Sequence, residues 1–198
     1  MAESAKEILK QAVKSYNEND VFTAVDIETT GLDPVRDRIV EIGAVKFDKN
    51  GLMARYSTLI NPGIPMPAEA SKVNNITDEM LKNQPCIEKI IPDFLQFIKN
   101  TILVAHNAPF DFGFIDECMK KTGNEKPSLT NLVMDTLVLS REAFPGRPGY
   151  SLQKLAAGLG IKAGNAHRAE DDAKICMEIF LRCIDVYQPI RRFDTIQR

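Results

Sequence analysis

Several absences bound this chain of 198 residues before any motif is read. No apolar stretch approaches the length of a membrane span, and the opening residues, MAESAKEILK, mix acids and lysines where an export signal would carry a continuous apolar run. A spanning segment is thereby excluded, and a cytoplasmic protein is expected. No CxxC pair occurs: Cys86, Cys118, Cys176 and Cys183 stand singly among apolar residues, which reads as reduced core thiols rather than zinc ligands or disulfides. Neither sign of charge dominates, since 25 basic and 27 acidic residues leave a net charge of −2. That balance argues against gripping nucleic acid through overall positive charge and leaves a local site open. Internal repeats, low-complexity tracts and shifts of composition are also missing, so one domain with a sizeable core is expected.

The pattern of what is present is mixed α/β. Ile8, Leu9, Ala12, Val13 and Tyr16 fall on one helical face, so residues 1–20 form a helical extension ahead of the main domain at 21–190, with a short tail at 191–198. Three β-rich runs follow at 21–29, 38–47 and 53–61, with DKNG, Asp48 to Gly51, as a hairpin turn between the last two. The proline-rich NPGIPMP at 61–67 ends them. Helices are expected from Thr77 to Leu81, over 87–99, 109–121, 137–144 and 152–159, and finally over 168–187; short strands are expected at 102–105 and 133–136. An antiparallel start followed by helix-linked strands makes a three-layer α/β domain, a mixed β-sheet flanked by helices.

Within this pattern, VFTAVDIETTGLDP places Asp26 and Glu28 in what otherwise reads as a buried strand. Side chains two apart on a strand share a face, so the two carboxylates project together and repel unless something compensates them. A hard divalent cation would do so through carboxylate oxygens; the bland alternative is that both acids face solvent at a strand end. Thr29, Thr30, Gly31 and Leu32 then leave the strand in a loop where Gly31 either lets the backbone approach a ligand or serves a turn. A second cluster, VAHNAPFDFGFID, runs from a buried strand through His106 and Asn107 into a helix with Asp111 in its first turn, where an acid also suits the helix dipole. Phe110, Phe112 and Phe114 are read either as core or as cleft lining, and Asp116 and Glu117 as solvent-facing. The third cluster, NAHRAEDDAKICMEIF, has His167 five residues ahead of Asp172, so the two converge only if His167 precedes the helix. Ala169, Ala173 and Cys176 form a small-residue face suited to close packing on the strand of Asp26.

Taken together, DIETTG at 26–31, HNAPFD at 106–111 and HRAEDD at 167–172 resemble the three motifs of the DEDDh family, the DnaQ-like 3′-5′ exonucleases. The resemblance spans about 21–187, and EIGAVKF, MDTLVLSR and SLQKLAAGLGI are similar to the flanking text of the family's polymerase III proofreading (epsilon) and PolC-type members. It implies an RNase H-like fold and a two-metal phosphodiester hydrolase. Asp26, Glu28, Asp111 and Asp172 would hold two divalent cations, Mg²⁺ or Mn²⁺, and His167 would be the general base. Removing those four acids from the count leaves 25 basic against 23 acidic residues, so net charge says little about substrate.

The resemblance further implies that Thr29, Thr30, Gly31, Leu32, His106, Asn107 and Phe110 meet a nucleic-acid 3′ end, single-stranded or frayed, with DNA favoured over RNA. Nucleoside 5′-monophosphates would leave one at a time, in proofreading or repair. Family members attached to a polymerase carry a C-terminal tether, whereas this sequence runs only to Arg198, so a stand-alone or loosely associated enzyme is expected, as monomer or dimer. Two other readings stay open: an RNA 3′-end trimming enzyme using the same site, and a catalytically silent binding module, against which the intact set of five motif residues counts.

Overall fold

The computed structural model describes residues 4–122, 129–162 and 168–194 of the chain. Helix α1 (Ala5–Asn17) is started by Ser4, whose hydroxyl accepts from the Glu7 amide at 3.3 Å. Strands β1 (Phe22–Thr29), β2 (Ile39–Asp48) and β3 (Gly51–Leu59) follow, and β2 and β3 pair up to Asp48 and Gly51. Asp48 accepts from the Asn50 amide at 2.7 Å, and Gly51 takes φ +124, which fixes the tight hairpin at DKNG. Short helices α2 (Ala68–Asn74) and α3 (Asp78–Leu81) lead to α4 (Ile87–Ile98), β4 (Ile102–Ala105), α5 (Ala108–Lys121), β5 (Val133–Asp135), α6 (Thr136–Ala143), α7 (Leu152–Leu159) and the long α8 (Ala169–Asp194). No helix among the described residues is long and apolar enough to cross a membrane.

The sheet order is β3-β2-β1-β4-β5, antiparallel across β1, β2 and β3 and parallel from β1 to β4 to β5. Helices cover both faces, giving the mixed three-layer sheet expected from the sequence. Alternation along the strands sorts their side chains into two cores. Phe22, Ala24, Val45 and Phe47 pack with α1, α6, α7 and α8 on one face. Val25, Ile27, Ile42 and Ala44 pack with α4 and α5 on the other. The leading helix buries Leu9, Ala12 and Val13 in the first core, so it is a fitted part of that layer.

Some expectations move. Helix α2 follows directly on the proline-rich stop at 61–67, where no element is expected before Thr77; Pro67 precedes it, and Asn75 in the left-handed region ends it. Strand β3 begins two residues earlier than expected, because pairing continues into the hairpin. Thr136 starts α6 instead of closing β5, since Asp135 accepts from the Leu137 amide at 2.8 Å and caps the helix. Of the cysteines, Cys176 and Cys183 are buried, Cys86 and Cys118 half-buried, and all four are free thiols. Asp116 is half-buried and accepts from the Leu129 amide at 3.0 Å, so it is tied down instead of facing solvent.

Small residues bring α8 against the sheet: Ala169, Ala173 and Cys176 are all buried. Gly43 of β2, the register partner of Asp26, completes this fit, because a Cβ there would fall inside the carbonyl carbon of Ala169 and the nitrogen of Glu170. Both are backbone atoms and cannot swing aside. Gly43→Ala is therefore expected to destabilise the protein by about 3 kcal/mol or more, or to fold with α8 displaced and activity lost. Thermal unfolding alongside an activity assay checks this; wild-type values in both would show that α8 does not depend on the close approach.

Candidate active site

Asp26 and Glu28 lie on the β1 face that meets α8, and a register irregularity immediately past Glu28 ends the regular ladder at the lip of the sheet. Asp172 arrives from the first turn of α8. One carboxylate oxygen from each of Asp26, Glu28 and Asp172 lies within 4.8 Å of the others. Asp111 comes from the opposite face: it is buried in the first turn of α5, and its Oδ1 accepts from the Ile27 amide at 3.2 Å. It stands outside the three-acid group, yet after burial its charge is the largest influence on Asp26. Acids from three distant segments and both layers of helices thus meet at the end of β1.

Such crowding raises the proton affinity of each acid whose shift is resolved. Asp26 retains some solvent exposure at the mouth, but burial first, then the charges of Asp111, Asp172, Glu28 and Glu41, push it well above the usual carboxylate range. Burial likewise holds Asp111 up, against the opposing bonds from its own amide and that of Ile27. Glu28 rises to about 7, through burial and then the charges of Asp172 and Glu41, with the Asn74 side chain and Arg168 pulling the other way. Buried like charges packed this closely call for a hard cation, and an all-oxygen donor set is what Mg²⁺ or Mn²⁺ takes. The residues present therefore fit such an ion.

Beside the acids is a cavity of about 530 Å³. One wall is Glu28 and the loop Thr29, Thr30, Gly31 and Leu32; Phe110 and α2, through Ala70, Val73 and Asn74, complete it. Leu32 is 83% exposed and Val73 58%, an unusual pair of apolar groups left open at a polar site. The loop is rigidly built. Thr30 Oγ1 accepts from the Arg38 amide at 3.0 Å, Arg38 reaches the carbonyls of Arg36 and Asp37 at 2.8 and 2.9 Å, and Lys121 reaches that of Val35 at 3.1 Å. At Gly31 a Cβ would meet the Asp37 carboxylate, which bonds Thr30 Oγ1 and the Asp33 amide, so any larger residue requires that side chain to give up its place. Of the three phenylalanines, Phe112 and Phe114 are core and Phe110 alone lines this cavity.

The other expected substrate residues are spread more widely. His106 lies on a second cavity of about 690 Å³, with Asn107, Arg141 and Tyr150 among its lining. Both His106 nitrogens are engaged, Nδ1 with Thr136 Oγ1 at 2.9 Å and Nε2 with the Tyr150 carbonyl at 2.8 Å. Asn107 is exposed at φ 68, and its amide donates to Asp135 at 3.0 Å. His167, expected as general base, lies outside the described residues.

Sequence reasoning missed four residues at the site. Asn74 is buried and donates to the Thr29 carbonyl at 3.3 Å, joining the two cavity walls. Gln153 donates to Asp172 Oδ1 at 2.8 Å. Glu41 is bound by Arg168. Asp135 holds the amides of Asn107, Ala108 and Leu137. A signal existed for Glu41 alone, as an acid two residues before a glycine in an otherwise apolar strand.

Comparison with known proteins gives a consistent picture. The RNase_T family model, Exonuclease, matches residues 23–180. DNA polymerase III subunit epsilon of Treponema pallidum (strain Nichols) is 48% identical over 174 residues, which cover 87% of this chain and 80% of that protein. DNA polymerase III PolC-type of Caldanaerobacter subterraneus subsp. tengcongensis is 41% identical over 169 residues, 85% of this chain but 12% of that much longer one. Among solved structures, exonuclease X in complex with 5′-overhanging duplex DNA matches with a TM-score of 0.66 and 27% identity, over 85% of this chain and 92% of its own.

Proposed function

This chain belongs to the RNase_T exonuclease family and is a 3′-5′ exonuclease, and from that premise we propose that it removes nucleoside 5′-monophosphates singly from the 3′ end of DNA in proofreading or repair. The observation that carries this is the trio of carboxylate oxygens within 4.8 Å of one another, flanked by an apolar cavity that leads away from them. Asp26, Glu28 and Asp172 would hold one divalent cation, and Asp26 with Asp111 a second. When bound, such cations stabilise charge on the phosphate and on both the attacking and departing oxygens.

The chain's own residues supply the rest. The cavity takes the terminal nucleoside, with Leu32, Val73 and Phe110 against the base and the loop at Thr30 and Gly31 near the 3′ hydroxyl. Apolar and backbone contacts of this kind tolerate any base. Asn107, exposed on the second cavity with Arg141 and Tyr150, would meet the strand beyond its terminal nucleoside. His106 and Thr29 act from within the walls, by holding the Tyr150 segment and the Gly31 carbonyl respectively. His167 keeps the general-base role that the resemblance assigns; an imidazole suits proton removal from water near neutral pH. Similarity to polymerase III epsilon makes a DNA polymerase the partner to test, and Mg²⁺ the first cation.

If Leu32 packs on the terminal base, Leu32→Ala should raise KM for single-stranded DNA about tenfold while changing kcat little. Equal KM values would remove Leu32 from the binding surface. The function itself is tested by a Mg²⁺-dependent time course on 5′-labelled single-stranded DNA, mismatched duplex and single-stranded RNA. A ladder shortening from the 3′ end, fastest on DNA and lost in Asp172→Ala, is expected. Faster shortening of RNA would move the protein to RNA end trimming, and intact substrates with both Mg²⁺ and Mn²⁺ would leave a binding module.

A further inference from the structure

Glu41 is 1% exposed and stands on β2 opposite Glu28, on the face that carries the site acids. A fifth carboxylate in that position would be expected to join the cation group, yet it is taken up elsewhere. Arg168 donates from Nε to both Glu41 oxygens, at 3.2 and 3.1 Å, and from Nη2 to Oε1 at 2.6 Å. Glu41 Oε2 also accepts from the Ala169 amide at 3.2 Å, and so satisfies one of the unpaired donors at the start of α8. The Asp172 amide in turn donates to the Arg168 carbonyl at 3.0 Å.

We propose that the Glu41–Arg168 pair is a positioning device that sets Asp172 against Asp26 and Glu28, and through that spacing fixes the cation affinity of the site. It rests on reading those three acids as cation ligands. The turn that carries Asp172 is tied to β2 by a guanidinium fork and by a main-chain amide, while β2 is registered to β1 with Glu41 opposite Glu28 and Gly43 opposite Asp26. Distances among three ligands from two elements are thereby transmitted through hydrogen-bonded links. Glu41 is buried while the Arg168 side chain is 39% exposed, so solvent weakens the attraction and desolvation of the carboxylate offsets much of the rest; geometry is the more natural reason for the pair here. Arginine is required because its planar fork engages both carboxylate oxygens, which a lysine ammonium does with less directional constraint.

The test is calorimetric titration of Mn²⁺ into wild type, Glu41→Gln, Arg168→Lys and Asp172→Asn, with amide hydrogen exchange at the start of α8 and steady-state kinetics across Mg²⁺ concentrations. Glu41→Gln is expected to weaken cation binding about 10- to 100-fold, Arg168→Lys less. In both, exchange at Ala169 to Asp172 should quicken, and high Mg²⁺ should restore much of kcat with KM for DNA near wild type. A lowered melting temperature with unchanged cation affinity would overturn the proposal by making the pair merely structural. Raised KM for DNA at unchanged cation affinity would overturn it by making Arg168 a strand contact. If wild type itself binds no Mn²⁺, and Asp172→Asn matches it, the cation reading fails first and the positioning role falls with it.

Discussion

Asp26→Asn and Asp172→Asn are each expected to cut hydrolysis by about three orders of magnitude or more while leaving the fold intact. Stabilising the charge of the reacting phosphate by a bound cation is worth several kcal/mol, and about 4 kcal/mol corresponds to a thousandfold in rate. Asp26 feels Asp111, Asp172, Glu28 and Glu41 at once, so removing its carboxylate relieves repulsion with all four as well as the cost of burying it. In buffer stripped of divalent ions, Asp26→Asn should therefore melt higher than wild type, by about 2–4 °C for each kcal/mol gained. Added Mg²⁺ should reverse the order, since only wild type keeps the full ligand set. Near-normal turnover by either variant would remove that residue from the cation site; an unfolded Asp26→Asn would assign the acid a structural role instead.

The second large effect is the pH dependence of the cation-free protein. Glu28 is raised from 4.5 to about 7, chiefly by burial and then by the Asp172 charge. Below the lower value, both folded and unfolded chains hold the proton. Between the two values the unfolded chain releases it while the folded one retains it, so unfolding becomes easier as pH rises. Above about 7 both forms are ionised and the penalty is constant. Glu28 alone therefore contributes stability that is full at low pH and lost on the way to neutrality, at most about 3 kcal/mol. Asp26 and Asp111, raised in the same direction, steepen the trend. Cation binding needs the ionised acids, so affinity for Mg²⁺ should climb through the same window. Melting temperatures at pH 5, 6, 7 and 8, with and without Mg²⁺, check both slopes. A cation-free stability that increases over this range would contradict the burial of these carboxylates.

Much of this was legible in the sequence, for reasons that differ from residue to residue. Asp26 and Glu28 stand out because charge interrupts an apolar period-2 strand, and Ala169, Ala173 and Cys176 because small residues recur at helical spacing. Both signals are local. Helix α2 was hidden by the prolines at 62, 65 and 67, although Pro67 in fact stands directly before its first turn. Val73 and Asn74 went with it, and so did the second wall of the cavity. Glu41, Gln153 and Asp135 act through partners 19 to 128 residues distant in the chain, or through capping of a neighbouring element, which no period in the sequence reports. Gly31 illustrates a right residue with a different cause: its missing Cβ makes room for Asp37.

The acids at the end of β1 are drawn from the two cores on opposite faces of the sheet, Asp172 from the α8 side and Asp111 from the α5 side. On the proposed assignment of these acids to the cation site, turnover should behave as a logical conjunction: both layers have to be seated at the same instant. Loosening of either one is then expected to silence the enzyme while most of the molecule is still folded, so lost activity on gentle heating or in dilute denaturant should precede any change in circular dichroism. A damaged copy of this protein would sooner stop cutting than cut in the wrong place.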